Sequence, residues 1–290
     1  MSPAASPIRT MMGPWESQFA ALISSARNRL LICSPFISVG AVKALLLARR
    51  GLPTLEQPTA VLTNLNPRAV CQGATDPRAA LQLADGLRCE GVFHLPSLHA
   101  KVYIADAARA AVTSGNLTDG GVRRNHEYGL MLSDVGLVGS IEKDLLSLSA
   151  LGSWLTRGEL ENYVAAAEQA REAARAAETG ASARVRSKLA AALASADESL
   201  IRARLRGGPI HRVFTQTIRH LLGTHGPMPT VHLHAAIQRI HPDLCDDTVD
   251  RVIDGERFGK KWKHAVRTSQ QQLKRLGEVA LIDGSWRLIE

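Results

Sequence analysis

Apolar residues between Trp15 and Arg29 recur at helical spacing (Phe19, Ala20, Leu22, Ile23, Ala26), and the run from Leu30 to Ile37 then reads as a buried strand broken at Pro35. The alternation repeats along the chain. Val42 to Ala48 reads as helix, Thr59 to Leu65 as strand, Arg78 to Leu87 as helix and Gly91 to Leu95 as strand. Strand-like stretches follow at Ala100 to Ala105, Ala110 to Thr113 and Tyr128 to Leu132, with a helical segment at Val138 to Leu148. This pattern predicts an α/β domain, a mixed sheet covered by helices, over residues 1–152.

Leu155 to Leu205 changes character: it is Ala-rich, studded with Glu and Arg, and strongly helix-forming. One or two long helices are expected over 153–206, serving either as a dimerisation or spacer arm or as a plain connector, since no clean heptad decides. Gly207, Gly208 and Pro209 then open a third segment, 207–290. It reads as a helix from Ile210 to Leu222, a turn at Gly226 to Pro229, a helix capped by Thr230, and a helix from Trp262 to Leu276. A hairpin turning on Asp283-Gly284 closes it. Three helices and a terminal hairpin resemble a winged helix-turn-helix. That resemblance implies that the third helix enters the DNA major groove, with Lys260, Lys261, Lys263, Arg267 and Lys274 placed to hold phosphates and Gln270, Gln271, Ser269 or Arg267 able to read bases. Such domains also serve protein contacts, so both uses stay open.

Composition narrows the setting. The net charge of +8 favours a polyanionic partner. No apolar run approaches the roughly 18 residues a membrane span needs, and Met1 to Gly13 lacks a charged-then-apolar leader, so a cytoplasmic protein without membrane partners is expected. Cys33, Cys71, Cys89 and Cys245 form no Cys-x-x-Cys pair and are expected to be reduced. His232-x-His234 sits in a predicted helix, where two-residue spacing separates the rings, so no metal site and no cofactor are expected.

The chemistry concentrates between Leu98 and Tyr128. On an extended chain His99 and Lys101 share a face, and so do Ser114 and Asn116. An imidazole can attack phosphorus when neutral and donate a proton when charged, a carboxylate such as Glu127 can fix its tautomer, and Lys101 with Asn116 can neutralise the equatorial oxygens. Arg123 and Arg124 lie beside this stretch as candidate backbone-phosphate contacts, or as ordinary loop residues.

His99-x-Lys101, four residues, Asp106, then Ser114-x-Asn116 and Glu127 resemble the HKD motif of the phospholipase D superfamily. Ser34-Pro35-Phe36-Ile37 and Leu62-Thr63-Asn64-Leu65 resemble strand ends of the same family, and Thr113 stands where the family often has Gly. The resemblance covers roughly residues 15–150. It implies a metal-independent phosphodiesterase in which His99 forms a phosphohistidine, Lys101, Ser114 and Asn116 bind phosphate, Asp106 is structural and Glu127 pairs with His99. The family uses two such motifs per site and this chain has one, which implies a homodimer. With the basic C-terminal segment, the substrate expected is DNA. By analogy with metal-independent restriction nucleases the setting is restriction or anti-phage defence, with other defence-system proteins as further partners. The alternative is a DNA-binding regulator or accessory subunit whose site is silent or gated; lipid chemistry ranks third.

Overall fold

The computed structural model describes residues 6–87, 89–179 and 183–289 and divides into two compact units, 1–200 and 201–290, each considered by itself.

In the first unit the chain runs β1 (Ile8–Met12), α1 (Glu16–Ser25), β2 (Leu30–Cys33), α2 (Val39–Arg49), β3 (Ala60–Thr63), α3 (Pro67–Cys71), α4 (Pro77–Gly86) and β4 (Gly91–His94). It continues through β5 (Val102–Ala105), β6 (Arg109–Thr113), a π-helical turn (Gly120–Arg124), β7 (Tyr128–Leu132), α5 (Val135–Ser149), β8 (Ser153–Thr156), α6 (Arg157–Thr179) and α7 (Ala183–Leu205). The helices start where the sequence supplies caps. Ser38, Asn66, Asp76 and Asp134 each accept a hydrogen bond from a first-turn N–H, and Pro67 and Pro77 occupy the first helical position, where a missing N–H costs nothing.

Eight strands form one sheet in the order β1-β7-β6-β5-β2-β3-β4-β8. β2, β3 and β4 are parallel and the remaining pairs antiparallel. On one face α5 buries Val138 and Leu145 against Leu31, Cys33, Leu62, Val102, Ile104, Ala110 and Leu132. On the other, Phe19 packs edge-on against Trp15 and Tyr103, which are tilted to each other, with ring centroids 5.3 to 5.5 Å apart.

The expected end of this domain near Gly152 falls short. Ser153–Thr156 pairs antiparallel with β4, and α6 buries Leu160, Tyr163, Ala167 and Ala170. The Tyr163 hydroxyl donates to the Leu65 carbonyl, and Arg171 donates to the carbonyls of Val70 and Thr75. The first half of the Ala-rich stretch is therefore part of the fold, because small residues let its backbone lie close against α3 and α4. β1 was also not expected.

The second unit comprises α8 (His211–His225), β9 (Met228–Pro229), α9 (Thr230–Ile240), β10 (Asp250–Ile253), β11 (Glu256–Lys260), α10 (Lys261–Arg275), β12 (Val279–Ile282) and β13 (Ser285–Leu288). β12, β13 and β9 form a three-stranded antiparallel sheet. Asp283 and Gly284, at φ 49° and 74°, make the tight turn as expected. Thr230 is not the cap of α9 but its first residue; its hydroxyl accepts from Trp286 Nε1 at 3.0 Å. Phe214, Ile218, Leu233, Ile237, Trp262, Val266, Leu273 and Trp286 form this unit's core. Among the described residues no helix is long and apolar enough to cross a membrane.

Candidate active site

The chemistry gathers at one end of the sheet, where β2 and β3 finish, β5 begins and β6 turns toward β7. His99 and Lys101 stand just before β5 rather than within it, since strand pairing starts at Val102. The chain is still extended enough to point both side chains the same way. Lys101 Nζ lies 3.0 Å from His99 Nε2 and donates to the His99 carbonyl at 2.7 Å. An ammonium only donates, so in this contact Nε2 is placed as the acceptor. Lys101 is buried and His99 exposed. Burial pulls the Lys101 ammonium below its ordinary pKa, while the charge of Glu127 acts the other way. Burial also pushes the Cys33 thiol up to about 12, so that neighbour is a neutral thiol.

The facing loop, Ser114 to Leu117, is held by three hydrogen bonds. Thr113 Oγ1 accepts from Gly115 N at 3.1 Å, Ser34 Oγ accepts from Leu117 N at 2.9 Å, and the Tyr103 hydroxyl donates to the Gly115 carbonyl at 3.1 Å. Trp15 Nε1 donates to the Gly121 carbonyl at 2.8 Å, fixing the turn behind the loop. A side chain at 115 has no room: a Cβ there would lie 2.7 Å from the Gly121 carbonyl oxygen and 3.2 Å from Trp15 Nε1. Thr113 thus replaces the expected glycine with a hydroxyl that the loop uses.

The Ser114 hydroxyl donates to one oxygen of Glu127 and accepts from Tyr128 N at 3.1 Å, while Asn125 Nδ2 donates to the other Glu127 oxygen at 3.1 Å. The expected Glu127–His99 pair is therefore not the contact Glu127 makes; its carboxylate is held by Ser114 and Asn125. Asn116 Oδ1 is enclosed and has no hydrogen-bond partner among the described residues. Asp106 lies past the far end of β5, about 17 Å along the chain from Lys101 by strand rise. It accepts from the backbone N–H groups of Arg27, Asn28 and Arg29 at 2.7 to 2.9 Å. Burial works to raise its pKa, but these three bonds outweigh it and hold the carboxyl below its usual range. Asp106 anchors the turn before β2 and stands apart from the other five.

Arg123 is engaged with Glu16 at 2.8 Å and Asp119 at 3.3 Å, whereas Arg124 is exposed. In the second unit, Lys261, Lys263, Arg267, Gln271 and Lys274 are exposed along α10. Lys260 precedes the helix and pairs with Asp250 at 2.8 Å. Gln270 departs from expectation: it is buried, because it falls on the same face as Trp262, Val266 and Leu273 and faces the core instead of solvent. Asn125, Tyr103, Trp15 and Ser34 were given no role from sequence. Asn125 and Ser34 lay in stretches already singled out, but nothing in the pattern marked Tyr103 or Trp15. Among the described residues no group of three or more His, Cys, Asp or Glu could hold a metal ion.

An imidazole beside a lysine, facing a tightly held Ser-x-Asn loop, is an arrangement for gripping a phosphate, and residues 19–148 match the family model described as "Cardiolipin synthase, PLD-like domain". The first unit therefore carries a phospholipase D superfamily domain. Among solved structures, the chain is similar to the phospholipase D family member Nuc from Salmonella typhimurium at 16% identity, covering 51% of this chain and 97% of that one, with a TM-score of 0.42. TrmBL2, an archaeal chromatin protein with a novel mode of DNA binding, is similar at 16% identity over 52% of this chain and 55% of its own, with a TM-score of 0.35. The phosphatidylserine synthase of Haemophilus influenzae Rd KW20 is similar at 11% identity over 66% and 44%, with a TM-score of 0.39. No curated protein matches the chain.

Proposed function

We propose that this protein is a phosphodiesterase of the phospholipase D superfamily that cleaves DNA through a covalent phosphohistidine, in a site completed by a second copy of the chain. The observation that carries the reading is the 3.0 Å approach of Lys101 Nζ to His99 Nε2 beside the Ser114–Asn116 loop. A phosphate oxygen that accepts from Lys101 takes over the bond now made to the imidazole and frees the Nε2 lone pair. Nε2 then attacks phosphorus: a P–N bond forms, the P–O bond to the leaving strand breaks, and the leaving oxygen takes a proton from a second, protonated imidazole. Water, activated by that second imidazole, then cleaves the P–N bond. Lys101 and the Asn116 amide offset charge on the nonbridging oxygens, a task in which loss of one donor typically costs about 10²- to 10³-fold in rate. None of these steps calls on a metal ion.

DNA as substrate is supported by the net charge of +8 and the exposed cations of α10. The helix-strand-helix order, the third helix and the β12–β13 hairpin suit a winged helix lying on a duplex. Restriction or anti-phage defence, with partner proteins of such a system, is the setting proposed by analogy. A second reading, a DNA-binding regulator with a gated site, draws on the same Lys101 contact, which ties up the nucleophilic nitrogen. Plasmid and single-stranded DNA incubated in excess EDTA with wild type and His99→Ala decide between them. Cleavage that survives chelation and vanishes in the variant, with phosphate trapped on the wild-type protein by an alkaline denaturing quench, supports the nuclease. Binding without cleavage by either protein supports the regulator, and phosphatidyl turnover on anionic vesicles would move the substrate to lipid.

A further inference from the structure

Away from the catalytic end of the sheet, a cleft of about 230 Å³ opens between α1 and the strands β1, β6 and β7. Its lining includes Arg9, Arg109, Gln18 and Ser133, with Leu22 and Met131 as apolar ground. The strand register explains why the two arginines meet. Arg9 pairs with Met131, Met131 pairs with Ala111, and Arg109 stands two residues before Ala111, so their side chains leave the same face of the sheet. Met11, two residues beyond Arg9 on that face, is buried, as is Leu22 of α1. Arg109 and Thr113 are the two ends of β6, about 13 Å apart by strand rise, so the cleft is separate from the Ser114–Asn116 loop.

Two guanidiniums over apolar ground favour an anion between them. The protein supplies none. Among the described residues neither arginine makes a hydrogen bond or an ion pair, and no carboxylate lines the cleft. The acids close by in sequence are committed elsewhere: Glu16 pairs with Arg123 at 2.8 Å, Asp134 accepts from Leu137 N at 2.9 Å, and Asp106 accepts from the backbone before β2.

We infer that this cleft binds a phosphomonoester carried on a small apolar or aromatic body, either a free mononucleotide or the terminal nucleotide of a strand. Charge, geometry and size argue for that class. A phosphomonoester carries about −1.5 to −2 near pH 7, which matches a pair of fixed positive charges, whereas a backbone diester carries a single one. Each guanidinium presents a planar fork of N–H donors that fits phosphate oxygens in pairs. Gln18 and Ser133 add an amide and a hydroxyl, and Leu22 with Met131 offers a surface for a ring. The volume lies below the roughly 300 Å³ at which drug-sized pockets begin, which limits the enclosed part of the ligand to a phosphate and one small group. Nothing here requires the chain to cut DNA.

Calorimetric titrations use the full chain carrying His99→Ala and Lys101→Ala, which removes the catalytic imidazole and ammonium so that no strand is cut. The same chain is then given Arg9→Gln, Arg109→Gln or both, at positions exposed enough to leave folding intact, as circular dichroism checks. The probes are adenosine monophosphate, adenosine, and a short single strand ended by phosphate or by hydroxyl. Both phosphate-bearing probes should bind, each Gln substitution weakening them about tenfold and the pair about 10²-fold. A phosphate-ended strand that binds more tightly than the mononucleotide assigns the ligand to a strand end; equal or weaker binding assigns it to a free nucleotide. Failure of both phosphate-bearing probes to bind overturns the inference. So does unchanged affinity in the folded arginine variants, or equal binding of the probes that lack the terminal phosphate.

Discussion

Acid should loosen the second unit through one buried histidine, His241. Its ring is fully enclosed, with Nε2 2.6 Å from Thr217 Oγ1 and Nδ1 3.1 Å from an Arg204 nitrogen. The guanidinium can only donate, so Nδ1 accepts from it and Nε2–H donates to Thr217, whose own proton goes to the Val213 carbonyl at 3.0 Å. The neutral ring is satisfied at both nitrogens, and a proton on Nδ1 would face Arg204. Burial, and then the Arg204 charge, lower its pKa from 6.5 to about 3. Asp243, 3.0 Å from the same guanidinium, neutralises Arg204 without reaching the ring. The sign follows: the unfolded chain binds this proton first, so the contribution is whole above pH 6.5 and lost as pH falls from 6.5 toward 3. At about 1.4 kcal/mol per pH unit the loss is roughly 2 kcal/mol by pH 5 and about 5 kcal/mol by pH 3. His241→Gln keeps an amide to donate to Thr217 but takes up no proton. Urea unfolding of the full chain, with hydrogen exchange read over residues 201–290, gives the stability of each protein at pH 7, 6 and 5. Wild type should lose about 2 kcal/mol more than the variant over that range; equal slopes would refute the reasoning.

Tyr103→Phe removes only the hydroxyl that donates to the Gly115 carbonyl. The orphaned acceptor should cost about 1–2 kcal/mol in urea unfolding and about tenfold in single-turnover cleavage, with DNA affinity unchanged. Gly115→Ala places a methyl 2.7 Å from the Gly121 carbonyl oxygen and should lower both stability and cleavage. Gly139→Ala in α5, where no atom lies within 4 Å, should raise stability by about 0.5–1 kcal/mol and leave cleavage alone. Lys263→Ala and Arg267→Ala should each reduce the slope of log affinity against log salt by about one, measured by fluorescence anisotropy on duplex DNA.

The core of the α/β domain was legible because apolar residues recur at helical or strand period in each element, from Phe19, Leu22 and Ile23 in α1 to Val138 and Leu145 in α5. The edges were not. Ile8–Met12 is exposed at four of its five positions and shows no alternation, so only its pairing with β7 makes it a strand. The misplaced boundary has a similar cause: an Ala-rich helix looks the same whether it spans solvent or lies on a domain. β10 and β11 carried a usable signal that went unread, since Asp254-Gly255 repeats the turn chemistry of Asp283-Gly284 at φ 50° and 85°. Gln270 shows the limit of composition, because a polar residue on a basic helix still follows the helix period into the core. In the site, the motif located the chemical groups but not their partners. That Glu127 bonds Ser114 and Asn125 is decided by the strand register of β6 and β7, which depends on contacts far apart in sequence.

Glu127 closes its hydrogen bonds on Ser114 and Asn125, and His99 closes its own on Lys101, so the nucleophile and the carboxylate are each held within their own segment. On the proposed phosphodiesterase reading, turnover requires an oxygen-rich anion to take the donors of Lys101 and a second imidazole to enter the site. The first is supplied by a phosphodiester and the second by another copy. Each event alone leaves one half of the proton traffic without a partner, which ties the proposed turnover to the coincidence of substrate and dimer.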